Sequence, residues 1–256
     1  MKKHPAWLTP IRLPMSATLG TINVYLIKTD NGAALIDTGV RDAASRRELE
    51  NALKAKGLEF SDISQVFLTH HHVDHVGLAA DFQAAGAAVL MSAIDADLLI
   101  DFAEHPEHDV TRARLFADHF IPEEMAKHVE KTFAFMRKLG QKTVPDRRLA
   151  AGDDIALAGM LFQVIAAPGH TPGHLILKQP DDNIWFTGDT AITPSATHIS
   201  GSKNAIGEDP YADYIRTLEK VGASGAVCYP GHGRPIRNPQ KRIAEIKTYL
   251  IESLAQ

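Results

Sequence analysis

The sequence predicts an α/β fold, because strand-like and helix-like segments alternate in both halves of the chain. Short apolar runs of strand length are separated by longer segments rich in helix formers. The segment from about 93 to 148 differs from its surroundings, since charged residues and helix formers dominate it. We therefore expect sheets covered by helices, with a helical insertion of two or three helices at 93–148.

The first half begins with a hairpin and ends in a histidine-rich segment. In chain order we expect a strand over Ile22–Lys28, a turn at Asp30-Asn31-Gly32, a strand over Ala33–Asp37, a helix capped by Asp42 and ended by Gly57, a buried strand over Gln65–Thr69, a helix over 76–85 and a strand over Ala87–Met91. The strand at Gln65–Thr69 leads directly into the sequence HHHVDH at 70–75.

The insertion contains one strongly amphipathic segment, Glu123–Leu139. Its apolar residues recur at helical spacing and are Met125, Val129, Phe133 and Met136. We expect this stripe to pack against its own domain, with a substrate pocket or a dimer contact as the alternative. After the insertion we expect strands at Ile155–Leu157, Leu161–Ala166, Leu175–Leu177, Ile184–Thr187 and Ala226–Tyr229, and helices at Tyr211–Val221 and Pro239–Leu254.

Composition and charge narrow the partners and the location. The net charge of -4 gives no bulk attraction for nucleic acid or for an anionic membrane. The single cysteine, Cys228, lies in a strand-like run and is expected to be a buried, inert thiol. The N-terminal residues lack the apolar core of a secretory signal, and no apolar run is long enough to span a membrane. We expect a cytoplasmic protein that acts on a small molecule, with a homodimer left open.

The HHHVDH segment has the residue types and spacing of a metal site. In an extended chain, residues two apart point to the same side, so His70 and His72 can hold one ion as a pair. Asp74 and His75 lie where the chain turns toward a helix and can serve a second ion. Imidazole and carboxylate are both zinc ligands.

Three further polar residues follow predicted strands and adjoin glycines. They are His170 in the sequence HTPGH, Asp189 in TGD and His232 in PGHG. A neighbouring glycine lets the backbone turn sharply at a sheet edge without a clash from a Cβ atom. Each residue alone could be a turn or core residue, but their joint pattern favours a metal site.

In this order, the four motifs resemble those of the metallo-β-lactamase superfamily. The segment GTINVYLI and the later ALIDTG are similar to the first strands of that family. The resemblance covers roughly residues 15–92 and 149–256 and leaves the insertion unmatched. It implies a single domain over 1–256 with an αββα sandwich and two metals at one edge of the sheets.

The resemblance also assigns roles to individual residues. It implies that one ion is held by His70, His72 and His170, that a second is held by Asp74, His75 and His232, and that Asp189 bridges the two. Asp37 and His174 are expected to support the ligands from behind. Zinc is the expected metal, with iron or manganese as alternatives. Two ions about 3.5–4 Å apart can share a hydroxide at neutral pH, and Asp74 is expected to assist catalysis by taking its proton.

The remaining histidines are expected outside the metal site. His71 should point away from the metals, and surface positions are expected for His105, His108, His119 and His128. The polar segment Ser200–Asn204 is expected to be a surface loop, with contact to the substrate as the alternative.

The function is expected to be hydrolysis of a small ester, thioester or lactone. Asp189 and the missing signal argue against a β-lactam-hydrolysing enzyme, and the short segment after His232 argues against the extra helical domain of glyoxalase II-type enzymes. A phosphodiesterase or nuclease is the first alternative, although the cations nearby are scattered in sequence. A mononuclear-iron sulfur dioxygenase is the second, since iron also accepts imidazole and carboxylate ligands. A binding module without catalysis is the third, and it is disfavoured because no ligand position is substituted.

Overall fold

The computed structural model describes residues 4–15, 20–105, 123–193, 197–199 and 209–254. The strands are β1 (Leu8–Pro14), β2 (Thr21–Thr29), β3 (Gly32–Ile36), β4 (Ile63–Phe67), β5 (Ala88–Ser92), β6 (Arg147–Leu149), β7 (Asp154–Leu157), β8 (Met160–Ala166), β9 (Leu175–Gln179), β10 (Ile184–Gly188) and β11 (Val227–Pro230). The helices are α1 (Ala43–Lys54), α2 (Val73–Val76), α3 (Ala79–Ala84), α4 (Ala93–Glu104), α5 (Glu123–Met136), α6 (Pro210–Ala223) and α7 (Pro239–Leu254). Each described helix is too short or too polar to cross a membrane.

The strands form two sheets. The first has the order β1-β2-β3-β4-β5-β6, antiparallel from β1 to β3 and parallel from β3 to β6. The second has the order β11-β10-β9-β8-β7, and its β10 and β11 are parallel. In both sheets the parallel strands are joined through helices, which cover the outer faces of the sheets.

Three apolar layers define the αββα sandwich. Side chains of β2 alternate, so that Leu26 packs on the outer layer with Leu49 of α1, while Tyr25 packs between the sheets. In the second sheet, Phe186 points to the layer between the sheets, and Trp185 points outward to the layer that includes α6. The predicted fold class is confirmed.

Several predicted elements are present with small changes in their bounds. The hairpin turns at Asp30 and Asn31, and the side chain of Asp42 caps α1 by accepting from the N–H of Ser45 at 2.7 Å. Cys228 is buried as expected, and burial raises the pKa of its thiol to about 12.

Two expectations differ from the structure. The helix expected over 76–85 is divided into α2 and α3 at Gly77, which packs against other backbone so closely that its Cβ would lie 2.5 Å from the amide nitrogen of Arg41. The insertion expected at 93–148 returns to the first sheet before its predicted end, because β6 pairs with β5 from Arg147 onward. Between these points it contributes α4 and α5, and residues 106–122 lie outside the described segments.

Candidate metal centre

The seven predicted ligands meet at one edge of the two sheets. The segment 70–75 follows β4 of the first sheet, and the other three ligands follow strands of the second sheet: His170 after β8, Asp189 after β10 and His232 after β11. Because strands of both sheets end here, short loops are sufficient to bring the side chains together.

Three imidazoles form the first group. The Nε2 atom of His70 lies 3.1 Å from Nδ1 of His72 and 3.1 Å from Nε2 of His170, and the last two atoms are 2.9 Å apart. A tetrahedral zinc ion with Zn–N bonds of about 2.0–2.1 Å separates its nitrogen ligands by roughly 3.3 Å. The triangle of ring nitrogens is therefore close to the size that one ion requires.

The second group mixes carboxylate and imidazole, and Asp189 lies between the groups. The Nε2 atom of His232 is 3.1 Å from Oδ2 of Asp74, and Nε2 of His75 is 3.6 Å from the same oxygen. Asp189 places Oδ1 3.4 Å from Nε2 of His75 and Oδ2 3.7 Å from Nε2 of His170. One carboxylate thus faces both groups, which is the position a bridging ligand needs.

Two buried atoms of this arrangement have no hydrogen-bond partner among the described residues. They are Nε2 of His75 and Oδ1 of Asp189. A buried polar atom without a partner costs free energy, and a cation between these two atoms would satisfy both. Gly231 keeps the space open, since a Cβ there would collide with Oδ1 of Asp189 and lie 2.6 Å from Cε1 of His75. The donor set and the space both fit divalent metal ions.

Hydrogen bonds behind the ligands fix the orientation of the rings. The Nδ1 atom of His75 lies 2.8 Å from Oδ2 of Asp37, and Asp37 also accepts from the amide N–H of Thr69 at 2.9 Å. In His232, Nδ1 donates to the carbonyl of Thr21 at 2.8 Å. A ring that donates through Nδ1 presents Nε2 as a lone pair to a metal. Asp37 therefore lies behind His75 and holds the orientation of its ring.

The two groups differ in their electrostatic surroundings. Burial and the neighbouring imidazoles hold the pKa of His70 and of His72 well below the usual value. Burial also lowers the pKa of His75, but the carboxylates of Asp37, Asp74 and Asp189 outweigh it and hold that pKa well above the usual value. The first group therefore favours uncharged rings, whereas the carboxylates of the second favour a positive charge beside His75, which a bound cation can supply in place of a proton.

His174 lies behind the ligands. Its ring stacks on that of His70 with centroids 5.0 Å apart, and its Nε2 accepts from the amide N–H of Asp189 at 3.1 Å. Burial lowers the pKa of His174 to about 3, so the ring is neutral and can accept this bond. It connects the backbone of Asp189 to the three-histidine group.

Asp95, a fully buried carboxylate in the first turn of α4, also supports the site, although it was not predicted to do so. It accepts from the N–H of His71 at 3.0 Å, from Oγ1 of Thr171 at 2.7 Å and from the N–H of Gly173 at 2.7 Å. One side chain thus ties the loop of His70 and His72 to the loop of His170. Its signal in the sequence was its position just after a strand parallel to β4, where it also forms an N-terminal Ser-x-x-Asp pattern with Ser92.

The other predicted positions place no ring nitrogen in the ligand groups. His71 is half-buried, its ring meets that of His72 edge-on with centroids 4.9 Å apart, and its Nδ1 is 3.0 Å from Oδ2 of Asp95. His105 and His128 are exposed, while His108, His119 and the segment 200–204 lie outside the described residues. In the amphipathic helix, Phe133 and Met136 are half-buried, but Met125 is 53% exposed, so the stripe is not covered along its whole length.

A cavity of about 820 Å³ opens onto the ligands. Its described lining includes four of them, namely Asp74, His170, Asp189 and His232. The rest of the described lining consists of apolar side chains (Met15, Ile192), hydroxyls (Thr21, Thr193, Thr197), Arg12, Arg234, His198 and two glycines, Gly20 and Gly233. The site is thus open to a small molecule.

Comparisons with known proteins identify the family of this chain. Residues 17–232 match the metallo-β-lactamase superfamily. The chain is 27% identical over 245 residues to the "Probable metallo-hydrolase YqjP" of Bacillus subtilis (strain 168), which covers 91% of this chain and 73% of that protein. It is 29% identical over 212 residues to a hydroxyacylglutathione hydrolase of Cereibacter sphaeroides, covering 80% of this chain and 63% of that protein. It is 25% identical over 233 residues to an atrochrysone carboxyl ACP thioesterase of Aspergillus fumigatus, covering 91% of this chain and 57% of that protein.

Solved structures extend the likeness to the insertion. A metallo-β-lactamase family protein of Thermus thermophilus superposes with a TM-score of 0.81 at 30% identity, over 97% of this chain and 81% of that protein. Since residues 93–148 make up more than a fifth of the chain, this coverage includes most of them. The expectation that the insertion is unmatched is therefore wrong. The matched motifs, fold and relatives show that this chain is a metallo-hydrolase of the metallo-β-lactamase superfamily.

Proposed function

We propose that this enzyme hydrolyses a small ester, thioester or lactone with two zinc ions held by the seven ligands described above. The observation that carries the proposal is the pair of ligand groups joined by Asp189 beside the cavity. When bound, such a pair of ions lowers the pKa of a shared water and polarises a substrate oxygen. Relatives named as a thioesterase and as a hydroxyacylglutathione hydrolase support an acyl substrate.

The protein's own residues divide the work. Burial lowers the pKa of His70, His72 and His170, which favours uncharged rings that can bind one ion without first releasing a proton. Asp74 lies at the cavity wall, and its pKa is about 2, since His75 and His232 outweigh the effect of burial. As an ionised carboxylate it can orient the attacking water and accept its proton. Met15 and Ile192 supply apolar contacts for the acyl chain.

An assay panel tests the proposal. Zinc-loaded protein would be offered p-nitrophenyl esters, lactones, acyl thioesters and bis-p-nitrophenyl phosphate, with and without a chelator. We expect turnover of an acyl compound that is lost with the chelator and in His72→Ala, and retained in the control His128→Ala, whose side chain is exposed on α5. Turnover of the phosphodiester alone, or undiminished rates in His72→Ala, would contradict the proposal.

A phosphodiesterase is the second candidate, because Arg12 and Arg234 line the same cavity and guanidinium groups bind phosphate. The same panel distinguishes the two. Metal analysis of protein purified without added metal distinguishes bound zinc from manganese or iron. Oxygen uptake with a persulfide would favour an iron dioxygenase. The cytoplasmic location, the absence of a nucleic-acid partner and the homodimer stay predictions.

A further inference from the structure

Two arginines lie on the wall of the cavity but do not belong to the metal site. Arg12 comes from β1, and Arg234 lies two residues after the ligand His232. The only carboxylates in the described lining are Asp74 and Asp189, and both face the ligand imidazoles. Apart from the metal ligands, the described part of this wall therefore carries two guanidinium groups and no carboxylate.

The chain segments that carry these arginines are held in place. A guanidinium N–H of Arg12 donates to the carbonyl of Gly233 at 3.4 Å, so this side chain lies beside the residue that precedes Arg234. The same carbonyl accepts from Nδ2 of Asn23 at 3.0 Å. The N–H of Arg234 donates to Oγ1 of Thr193 at 2.8 Å. Hydrogen bonds thus fix the backbone from which Arg234 extends and bring Arg12 to the same part of the rim.

Most of the donors on these two side chains are available to a ligand. Within the described segments, neither guanidinium forms an ion pair with a carboxylate, and Arg12 uses one of its five N–H groups on Gly233. Both arginines are exposed toward solvent. A guanidinium fork matches a carboxylate or phosphate group with two parallel hydrogen bonds.

We propose that Arg12 and Arg234 select substrates that carry an oxyanion, a carboxylate or a phosphate, at a distance from the bond that is hydrolysed. This inference rests on the proposed function, since it concerns the substrate of the same site. The metal ligands act on the acyl group, Met15 and Ile192 contact the chain, and the two arginines bind its charged end. A neutral acyl compound lacks the last contact.

Matched substrates test the inference. Mono-p-nitrophenyl adipate and p-nitrophenyl hexanoate have the same number of acyl carbons and differ in a terminal carboxylate. Butyryl phosphopantetheine and butyryl pantetheine differ in a phosphate. For the zinc-loaded enzyme we expect kcat/KM to be about tenfold higher for the charged member of at least one pair, mainly through a lower KM. The pair that shows the preference identifies the source of the oxyanion.

Variants assign the preference to the two arginines. In Arg12→Gln and Arg234→Gln we expect KM for the charged substrate to rise about tenfold, with little change for the neutral one. The control is Arg47→Gln, an exposed arginine on α1, which should leave both unchanged. Added salt should raise KM for the charged substrate of the parent enzyme and have little effect in the double variant.

The outcomes separate the two proposals. Equal turnover of charged and neutral members, or an equal loss for both in the arginine variants, would overturn this inference and leave the hydrolase intact. Failure to hydrolyse any ester or thioester, with cleavage of the phosphodiester alone, would overturn the proposed function and this inference with it.

Discussion

The two ligand groups of the metal centre differ in how a buried carboxylate supports them. In the group formed by Asp74, His75 and His232, the carboxylate of Asp37 bonds directly to the ring of His75. In the three-histidine group, the rings of His70 and His170 contact uncharged oxygens of Thr69 and His198. The carboxylate of this group, Asp95, instead bonds to backbone and side-chain atoms of the loops that carry the ligands. A carboxylate can thus support a ligand through its ring or through its loop, and the two arrangements should respond differently to substitution.

Substitution of Asp189 should have the largest effect on activity and metal binding, because its carboxylate faces both groups. We expect Asp189→Ala to lower kcat/KM by more than the roughly 10–100-fold that loss of an outer partner costs. The measurement is hydrolysis by the zinc-loaded variant beside a count of bound metal. Asp154→Ala, an exposed carboxylate on β7, is the control. If the Asp189 variant bound two ions tightly and kept a normal rate, Asp189 would not be a bridging ligand.

Gly231→Ala should have the next largest effect. The new methyl group would collide with Asp189 and approach Cε1 of His75 to 2.6 Å, so it should disturb the group that contains Asp74 more than the three histidines. We expect loss of one of two bound ions, measured by titration with cobalt or zinc. Gly222→Ala on α6, where a Cβ meets Ile243 at an ordinary 3.4 Å, is the control. If the variant kept both ions, the methyl group at position 231 would not displace Asp189 or His75.

Asp37→Asn tests whether the two groups are supported independently, because it removes the charge next to His75. An asparagine tolerates the left-handed backbone at this position (φ 59°). We expect metal affinity to fall about 10–100-fold in the group of His75 and to change less in the three-histidine group. Stepwise metal titration by calorimetry resolves the two affinities. An equal fall in both would mean that the groups are not supported separately.

Asp95→Asn should give the smallest effect and the opposite pattern. An amide in place of the carboxylate would face the N–H of His71 or of Gly173 with its own N–H, leaving a buried donor unpaired at a cost of about 1–3 kcal/mol. We expect a modest loss of metal from the three-histidine group and a lower melting temperature. The control is Asp97→Asn, two residues along α4, whose side chain is 68% exposed. If the Asp95 variant lost the ion of the other group first, Asp95 would support that group and not the three histidines.

The sequence was most informative where the signal is local. The hairpin at Asp30 and Asn31 and the cap at Asp42 each occupy a few consecutive residues and are present in the structure. The ligand motifs are equally short, and the structure brings their side chains together. It was least informative at the two edges of the first sheet. β1 contains two prolines and β6 two arginines, which edge strands tolerate because one side of the strand is unpaired.

Contacts between distant residues could not be predicted from local patterns. Asp95 accepts a hydrogen bond from Thr171 across 76 positions of sequence, and Arg12 approaches Gly233 across 221 positions. Nothing in the neighbouring residues marks these pairs, since they arise from the way the two sheets stack. Asp37 and His174 could be predicted because the resemblance to a family supplied the tertiary context.

The ligands come from both sheets, and this has a consequence for the integrity of the molecule. Residues 70–75 extend from one sheet, whereas His170, Asp189 and His232 extend from the other. Bound cations would link the two sheets non-covalently, in addition to the apolar layer that lies between them. Resistance to heat and to urea would then rise with the concentration of free metal, so that the supply of cations would govern how long the enzyme survives as well as how fast it works.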